Sequence, residues 1–206
     1  MMAIQISMDA PLIIHILAGG SSQRMGADKR HLLLQNVSML DWCRLTAEGL
    51  GCPVNIIKED QRQGHGPLGG IETGLMHSGS AFHLFLSCDM PFVSEQTLKD
   101  LIAITQDHQT VVCMEDKGRR GFPLVVPDHF LPLVKSQLDQ GRRSLYSLFH
   151  HSESVVFCWK EEDRMESMNV NTQEEFSLAE LWVESRNLKP PVTFRHADLM
   201  RLPNPE

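Results

Sequence analysis

The run Leu17-Ala18-Gly19-Gly20-Ser21-Ser22-Gln23-Arg24-Met25-Gly26-Ala27-Asp28-Lys29 sets three glycines and two cations directly behind a short apolar segment, residues 12–17. Glycine lets the backbone come close to an anion and offer its N–H groups, and Arg24 and Lys29 bring positive charge to the same place. This chemistry suits a phosphorylated ligand. The spacing is neither that of a Walker loop, which needs GxxxxGK and then Ser or Thr, nor that of a dinucleotide fingerprint, GxGxxG.

Two aspartates stand where an ion could join that ligand. Asp60 follows the apolar run 54–57, and Asp89 follows the run 82–87, with Pro91 ending any strand pairing. Mg²⁺ takes one or two protein carboxylates and completes its shell with phosphate oxygens and water. A metal-bound triphosphate held in this way could undergo in-line attack on its α-phosphate with loss of pyrophosphate. Positioning and electrostatics carry such transfers, and no covalent protein nucleophile is needed. Other polar groups read as structural. His15 lies inside an apolar strand and reads as a satisfied core histidine, His150-His151 lacks metal-ligand spacing, and Cys88 reads as a small packing residue.

The elements that must position these groups alternate strand and helix. Strands are predicted at 12–17, 54–57, 82–87, 111–114, 122–126 and 155–159. The fifth is interrupted by Pro123 and so reads as a sheet edge. Helices are predicted from Ser38 to about Gly49 or Gly51, after a second glycine-rich turn at 66–70, from Ser94, over 128–140, from 142–144 through Leu148, and from the T-x-x-E capping box at Thr172. The pattern predicts an α/β, Rossmann-like three-layer domain around a mainly parallel sheet, with ligands at the carboxyl ends of the strands. One domain is expected over residues 1–186, with 1–10 a loose lead-in and 187–206 a tail.

Composition narrows the function classes. The 206 residues carry a net charge of −7 with no basic run, which argues against a nucleic-acid surface. Five cysteines without CxxC or Cys/His spacing fit a reducing compartment. Residues 12–18 are too short to cross a bilayer, so the expectation is a cytoplasmic protein with no membrane partner.

Four motifs occur in one order: LAGGSSQRMGADK at 17–29, GPLGGI at 66–71, CDMPF at 88–92 and NVNTQEEF at 169–176. Together they resemble the molybdenum cofactor guanylyltransferases of the nucleotidyltransferase superfamily, over roughly residues 12–180. The resemblance implies transfer of GMP from GTP to molybdopterin with Mg²⁺ as cofactor. It implies nucleotide contacts at Leu17, Ala18, Gly19, Gly20, Asp60, Pro67 and Leu68. Arg24 and Lys29 would act on the phosphates, and Asp89 on both metal and nucleotide. Asn169 and Asn171 would lie on the molybdopterin side, with Arg142 and Arg143 as partners for its phosphate. Other proteins of cofactor biosynthesis or molybdoenzyme maturation are implied partners.

The chain departs from the family pattern after its first helix. Only Gly51-Cys52-Pro53 precedes the second strand. One strand–helix unit is therefore expected to be missing, and Asn55 is a poor match for the family's asparagine contact. Two alternatives stay open: a related transferase using CTP or a sugar phosphate, and a non-catalytic protein that binds molybdopterin or a partner.

Overall fold

The structure is a computed structural model, and it describes residues 11–19, 32–62, 64–76, 79–159 and 164–190. Gly20, Arg24 and Lys29, the lead-in 1–10 and residues 191–206 lie outside the described residues. The strands are β1 (Leu12–Leu17), β2 (Leu33–Leu34), β3 (Val37–Ser38), β4 (Val54–Ile57), β5 (Phe82–Ser87), β6 (Val112–Asp116), β7 (Arg119–Pro127) and β8 (Val155–Cys158). The helices are α1 (Met39–Glu48), α2 (Gly66–Leu75), α3 (Glu95–His108), α4 (Leu131–Asp139), α5 (Leu145–His151) and α6 (Gln173–Arg186).

Six strands form one sheet in the order β4-β1-β5-β7-β6-β8, and β2 and β3 form a separate hairpin. Pairings β1–β4, β1–β5 and β6–β8 are parallel, whereas β7 runs antiparallel to both its neighbours. Alternation along the strands sorts side chains between two layers. Ile14, Ile16, Phe82, Leu84 and Leu86 pack with Leu98, Leu101 and Ile102 of α3 and with Cys43 and Ala47 of α1. On the other face Phe85, Leu124 and Val126 pack with α2, α4 and α5 through Leu68, Ile71, Leu138 and Leu148. A third cluster joins the β2–β3 hairpin, α1, Val170 and α6.

Helix starts follow local chemistry. Ser38, Ser94 and Thr172 each accept a backbone N–H in the first turn of α1, α3 and α6, and Glu175 completes a reciprocal capping box. α1 passes directly to β4, and β4 is the sheet edge with β1 as its inner neighbour. Among the described residues, the side of the sheet beyond β1 thus carries a single strand.

Two expectations are corrected. The strand bearing Pro123 is interior, between β5 and β6. The β6–β7 register jumps from Cys113↔Leu124 to Met114↔Gly121, and β5 pairs only with Leu124–Pro127. Pro123 therefore sits in a bulge beyond the run shared with β5, where its missing N–H breaks no ladder bond. The glycines at 66–70 do not form a turn ahead of a helix, because α2 begins at Gly66 and Gly69, Gly70 and Gly74 lie within it.

One polar line crosses the core. His15 Nε2 lies 3.0 Å from His83 Nδ1, Asn55 Nδ2 lies 3.3 Å from His15 Nδ1, and His83 Nε2 lies 3.5 Å from Asp128 Oδ1. Both imidazoles are fully buried, and His15 stacks on Phe85 with centroids 4.9 Å apart. α2 covers this stack, and a Cβ on Gly74 would overlap the Phe85 ring and approach His15 Cγ to 3.1 Å. Gly74→Ala is expected to cost about 1–3 kcal/mol through overpacking. Urea denaturation should show this as a lower midpoint with an unchanged slope, and an unchanged midpoint would refute the close approach.

Candidate active site

Three strand ends meet at one edge. Leu17, the last residue of β1, is in register with Ile57 of β4 and Ser87 of β5. The ladder runs one step further, as Ala18 donates its N–H to the Ile57 carbonyl (2.8 Å) and Cys88 donates to the Leu17 carbonyl (3.2 Å). Whatever follows each strand must leave at the same level, and Gly19, residues 58–60 and residues 88–89 do so. They open into a cleft of about 700 Å³ that is also lined by Gly66, Pro67 and Gly70 of α2 and by Phe122 of β7.

The far wall of the cleft is the N-terminal turn of α2. Gly66 opens it at φ +62°, and a Cβ there would stand 3.1 Å from the Arg143 carbonyl oxygen. Gly70 lets the helix lie against the end of β1, since its Cβ would meet Leu17 Cδ1 at 3.0 Å. No side chain caps this helix start, and the Leu68 N–H instead reaches the Arg143 carbonyl at 3.3 Å. A helix N-terminus facing a cleft is a favourable place for negative charge.

Asp60 lies in the notch between β1 and α2. Its Oδ1 and Oδ2 each fall 3.4 Å from where a Cβ on Gly70 and on Gly69 would stand. The loop carrying it is pinned to α2. Gln61 donates its N–H to Thr73 Oγ1 (3.0 Å), and Arg62 Nε lies 3.1 Å from the carboxylate of buried Glu72. The same guanidinium reaches Asp139 on α4 at 2.6 Å. Burial raises the Asp60 pKa, partly opposed by the nearby His65.

Asp89 is 8% exposed, and Ser87 Oγ donates to its Oδ1 at 2.5 Å. Its carbonyl accepts the Val170 N–H at 2.8 Å, which stitches the segment between Asn169 and Asn171 to the Asp89 turn. Asn169 is exposed and Asn171 is tied through its N–H to Glu175, while Glu166 nearby accepts the Ser94 N–H and the Thr97 hydroxyl, both at 2.8 Å. Burial, then Cys88 and Asp89, push the Cys43 thiol well up, so it packs behind Asp89 as a neutral group.

The structure therefore brings Leu17, Gly19, Asp60, Pro67 and Asp89 into one cleft, with Ala18 buried between the first two. Leu68 is placed differently: its side chain is fully buried in the α2–α4–α5 core layer. Arg142 is bonded to Gln137 Oε1 at 2.7 Å, and Arg143 is an exposed residue of the α4–α5 connection whose carbonyl meets the start of α2; neither lines the cleft. Asn55 is engaged with His15 in the core. Sequence reasoning passed over Lys58, Glu59, Ser87 and Phe122, which do line it. The first three could have been found from their place at the carboxyl ends of β4 and β5, whereas Phe122 arrives from an antiparallel strand with no local signal.

Among the described residues no group of three or more His, Cys, Asp or Glu side chains could hold a metal ion unaided. Asp89, a hard oxygen ligand at the mouth of a cleft wide enough for a triphosphate, fits an ion whose remaining ligands are phosphate oxygens and water. No helix among the described residues is long and apolar enough to cross a membrane.

Known proteins resemble this chain in sequence and in fold. The family described as the MobA-like NTP transferase domain matches residues 14–155. A molybdenum cofactor guanylyltransferase of Desulfosudis oleivorans is 27% identical over 191 residues, which is 82% of this chain and 95% of that protein. A probable molybdenum cofactor guanylyltransferase of Flavobacterium johnsoniae is 26% identical over 183 residues, 81% of this chain and 95% of that protein. The crystal structure of molybdopterin-guanine dinucleotide biosynthesis protein A from Archaeoglobus fulgidus superposes with a TM-score of 0.69 at 18% identity. It covers 84% of this chain and 99% of that one, and it shares the fold.

The raised Asp60 pKa has a definite consequence. The folded state holds the Asp60 proton more tightly than the unfolded chain, so stability is lost as pH rises from the ordinary aspartate value towards the raised folded-state pKa, and the loss is complete above it. Asp60→Asn should therefore be at least as stable as the parent at pH 7. Its advantage should vanish once the pH falls below the ordinary value of about 3.9. Urea midpoints at both pH values check this, and a variant less stable at pH 7 than at low pH, relative to the parent, would contradict it.

Proposed function

The chain belongs to the MobA-like NTP transferase domain family, and from that membership we propose that it transfers GMP from GTP to molybdopterin, releasing pyrophosphate. The observation that carries the reading is the shared cleft, where the backbone at Gly19, the carboxylate of Asp89 and the N-terminus of α2 face one space at the ends of three parallel strands. Curated relatives named for this activity match most of the chain and favour GTP as donor. Cytoplasmic location and delivery to molybdoenzyme-maturation partners follow from the same reading.

The residues take defined parts. The backbone at Leu17, Ala18 and Gly19 cradles the nucleotide, and Gly20, Arg24 and Lys29, outside the described residues, complete the phosphate site. Asp60 meets the nucleoside side, beside Pro67. Asp89 would hold Mg²⁺, which would supply charge to offset that on the α-phosphate. Ser87 occupies Asp89 Oδ1 and so fixes the carboxylate rotamer. A terminal phosphate oxygen of molybdopterin attacks the α-phosphorus in line; the new P–O bond forms as the bond to the bridging oxygen breaks, and the electron pair leaves with pyrophosphate. Asn169 and Asn171, anchored to Asp89 through Val170, orient the acceptor.

One observation keeps a second reading in view. Among the described residues the side of the sheet beyond β1 has a single strand, and Asn55 is committed to the core, which would alter a wall of the base pocket. A non-catalytic molybdopterin-binding protein would then result.

Calorimetric titration with GTP and CTP, with and without Mg²⁺, separates these readings. Micromolar, Mg²⁺-dependent GTP binding is expected, weakened at least about tenfold in Asp89→Ala, which corresponds to about 1.4 kcal/mol. Pyrophosphate release on adding molybdopterin completes the test. Molybdopterin binding with no nucleotide binding would sink the transferase. Ser87→Ala should weaken Mg²⁺-dependent GTP binding several-fold, and its Mg²⁺-free GTP affinity should not move.

A further inference from the structure

Glu72 places a carboxylate inside the protein, in the third turn of α2 and only 2% exposed. Among the described residues no aligned hydrogen bond reaches its Oε2, and the charge that faces it is the guanidinium of Arg62, whose Nε stands 3.1 Å away. A buried charge depends on such a partner, because stranding it costs far more than the pair contributes. Arg62 is not part of the helix. It comes from residues 58–62, the segment that follows β4 and carries Asp60.

A second tie lies one residue nearer to Asp60. Thr73 Oγ1 donates to the Gly69 carbonyl (2.9 Å), which leaves its lone pairs free to accept the Gln61 N–H at 3.0 Å. The same guanidinium of Arg62 reaches Asp139 at 2.6 Å, but the Asp139 side chain is 64% exposed and a pair in water holds little. The place of Asp60 against Gly69 and Gly70 is thus set by the two residues behind it, and most firmly by the arm that ends on Glu72.

We propose that Arg62 is a positioning residue for the donor nucleotide: its ion pair with Glu72 latches residues 58–62 onto α2 and keeps Asp60 in its notch before the nucleotide arrives. The identity of the ligand rests on the transferase reading, whereas the latch rests on the ion pair. A loop already held in its binding arrangement loses little freedom when a ligand enters, so the latch acts on affinity and leaves the chemical step alone. Released from α2, the loop spends part of its time away from the notch, and affinity falls with the fraction that stays competent.

Arg62→Ala would strand the buried carboxylate and endanger the fold, so the informative variant is Glu72→Leu, which removes the anchor and leaves no unpaired charge inside. Urea denaturation should find it about as stable as the parent. Two readouts then follow the loop. The first needs no ligand: carboxyl-carbon NMR should show Asp60 titrating above the ordinary aspartate value in the parent and falling back towards about 3.9 in Glu72→Leu. The second is calorimetric GTP binding with Mg²⁺, which should weaken about tenfold in Glu72→Leu. The kcat of pyrophosphate release at saturating GTP should change less than twofold.

An Asp60 titration that is the same in both proteins overturns the latch, whatever the nucleotide does. A shifted titration with unchanged GTP affinity overturns the positioning role and leaves the ion pair a structural contact. A parent that binds no GTP sinks the transferase reading and the ligand named here with it, while the Asp60 titration still decides the latch.

Discussion

The register of three parallel strands governs everything the site can do. Leu17 stands opposite Ile57 and Ser87, so β1, β4 and β5 all end at one level and their following residues emerge together. Parallel hydrogen bonding imposes this directly, since strands pointing the same way present their carboxyl ends at one edge. Gly19, Asp60 and Asp89 are distant in sequence and meet because the ladder leaves them nowhere else to go.

The second constraint is the approach of α2. Its glycine face touches Leu17 and Asp60, and Gly74 touches the Phe85 ring at the other end. Side chains at these positions would lift the helix from the sheet and open the notch that holds Asp60. The closeness has an electrostatic cost, because it takes water from the Asp60 carboxylate and raises its pKa. The positive end of the helix and the Arg62–Glu72–Asp139 chain keep the loop in place around that charge.

Much of this was legible in the sequence where the signal is local. The continuous apolar runs of β1 and β5 sit between the same layers that their alternation implies, and Ser94 and Thr172 start helices as their capping patterns require. Gly19, Asp60 and Asp89 could be placed at strand ends because each comes shortly after an apolar run. What was not legible is non-local. Pro123 reads as an edge residue until the bulge opposite Cys113 and Met114 is seen, and Phe122 enters the cleft only because β7 lies between β5 and β6. The helical conformation of Gly66–Gly70 defeats a rule of local propensity, because packing against β1 favours small residues where propensity disfavours them.

The buried line from Asn55 through His15 and His83 to Asp128 has a use in folding. Aliphatic strands are protected against a slip of one residue, which would turn core side chains to the wrong face, but a slip of two preserves the alternation. Moving β5 two places along β1 would carry His83 about 6.6 Å, more than twice a hydrogen-bond length. The imidazole pair then acts as a key cut for one alignment, rejecting the frame-shifted sheet that oily side chains alone would tolerate.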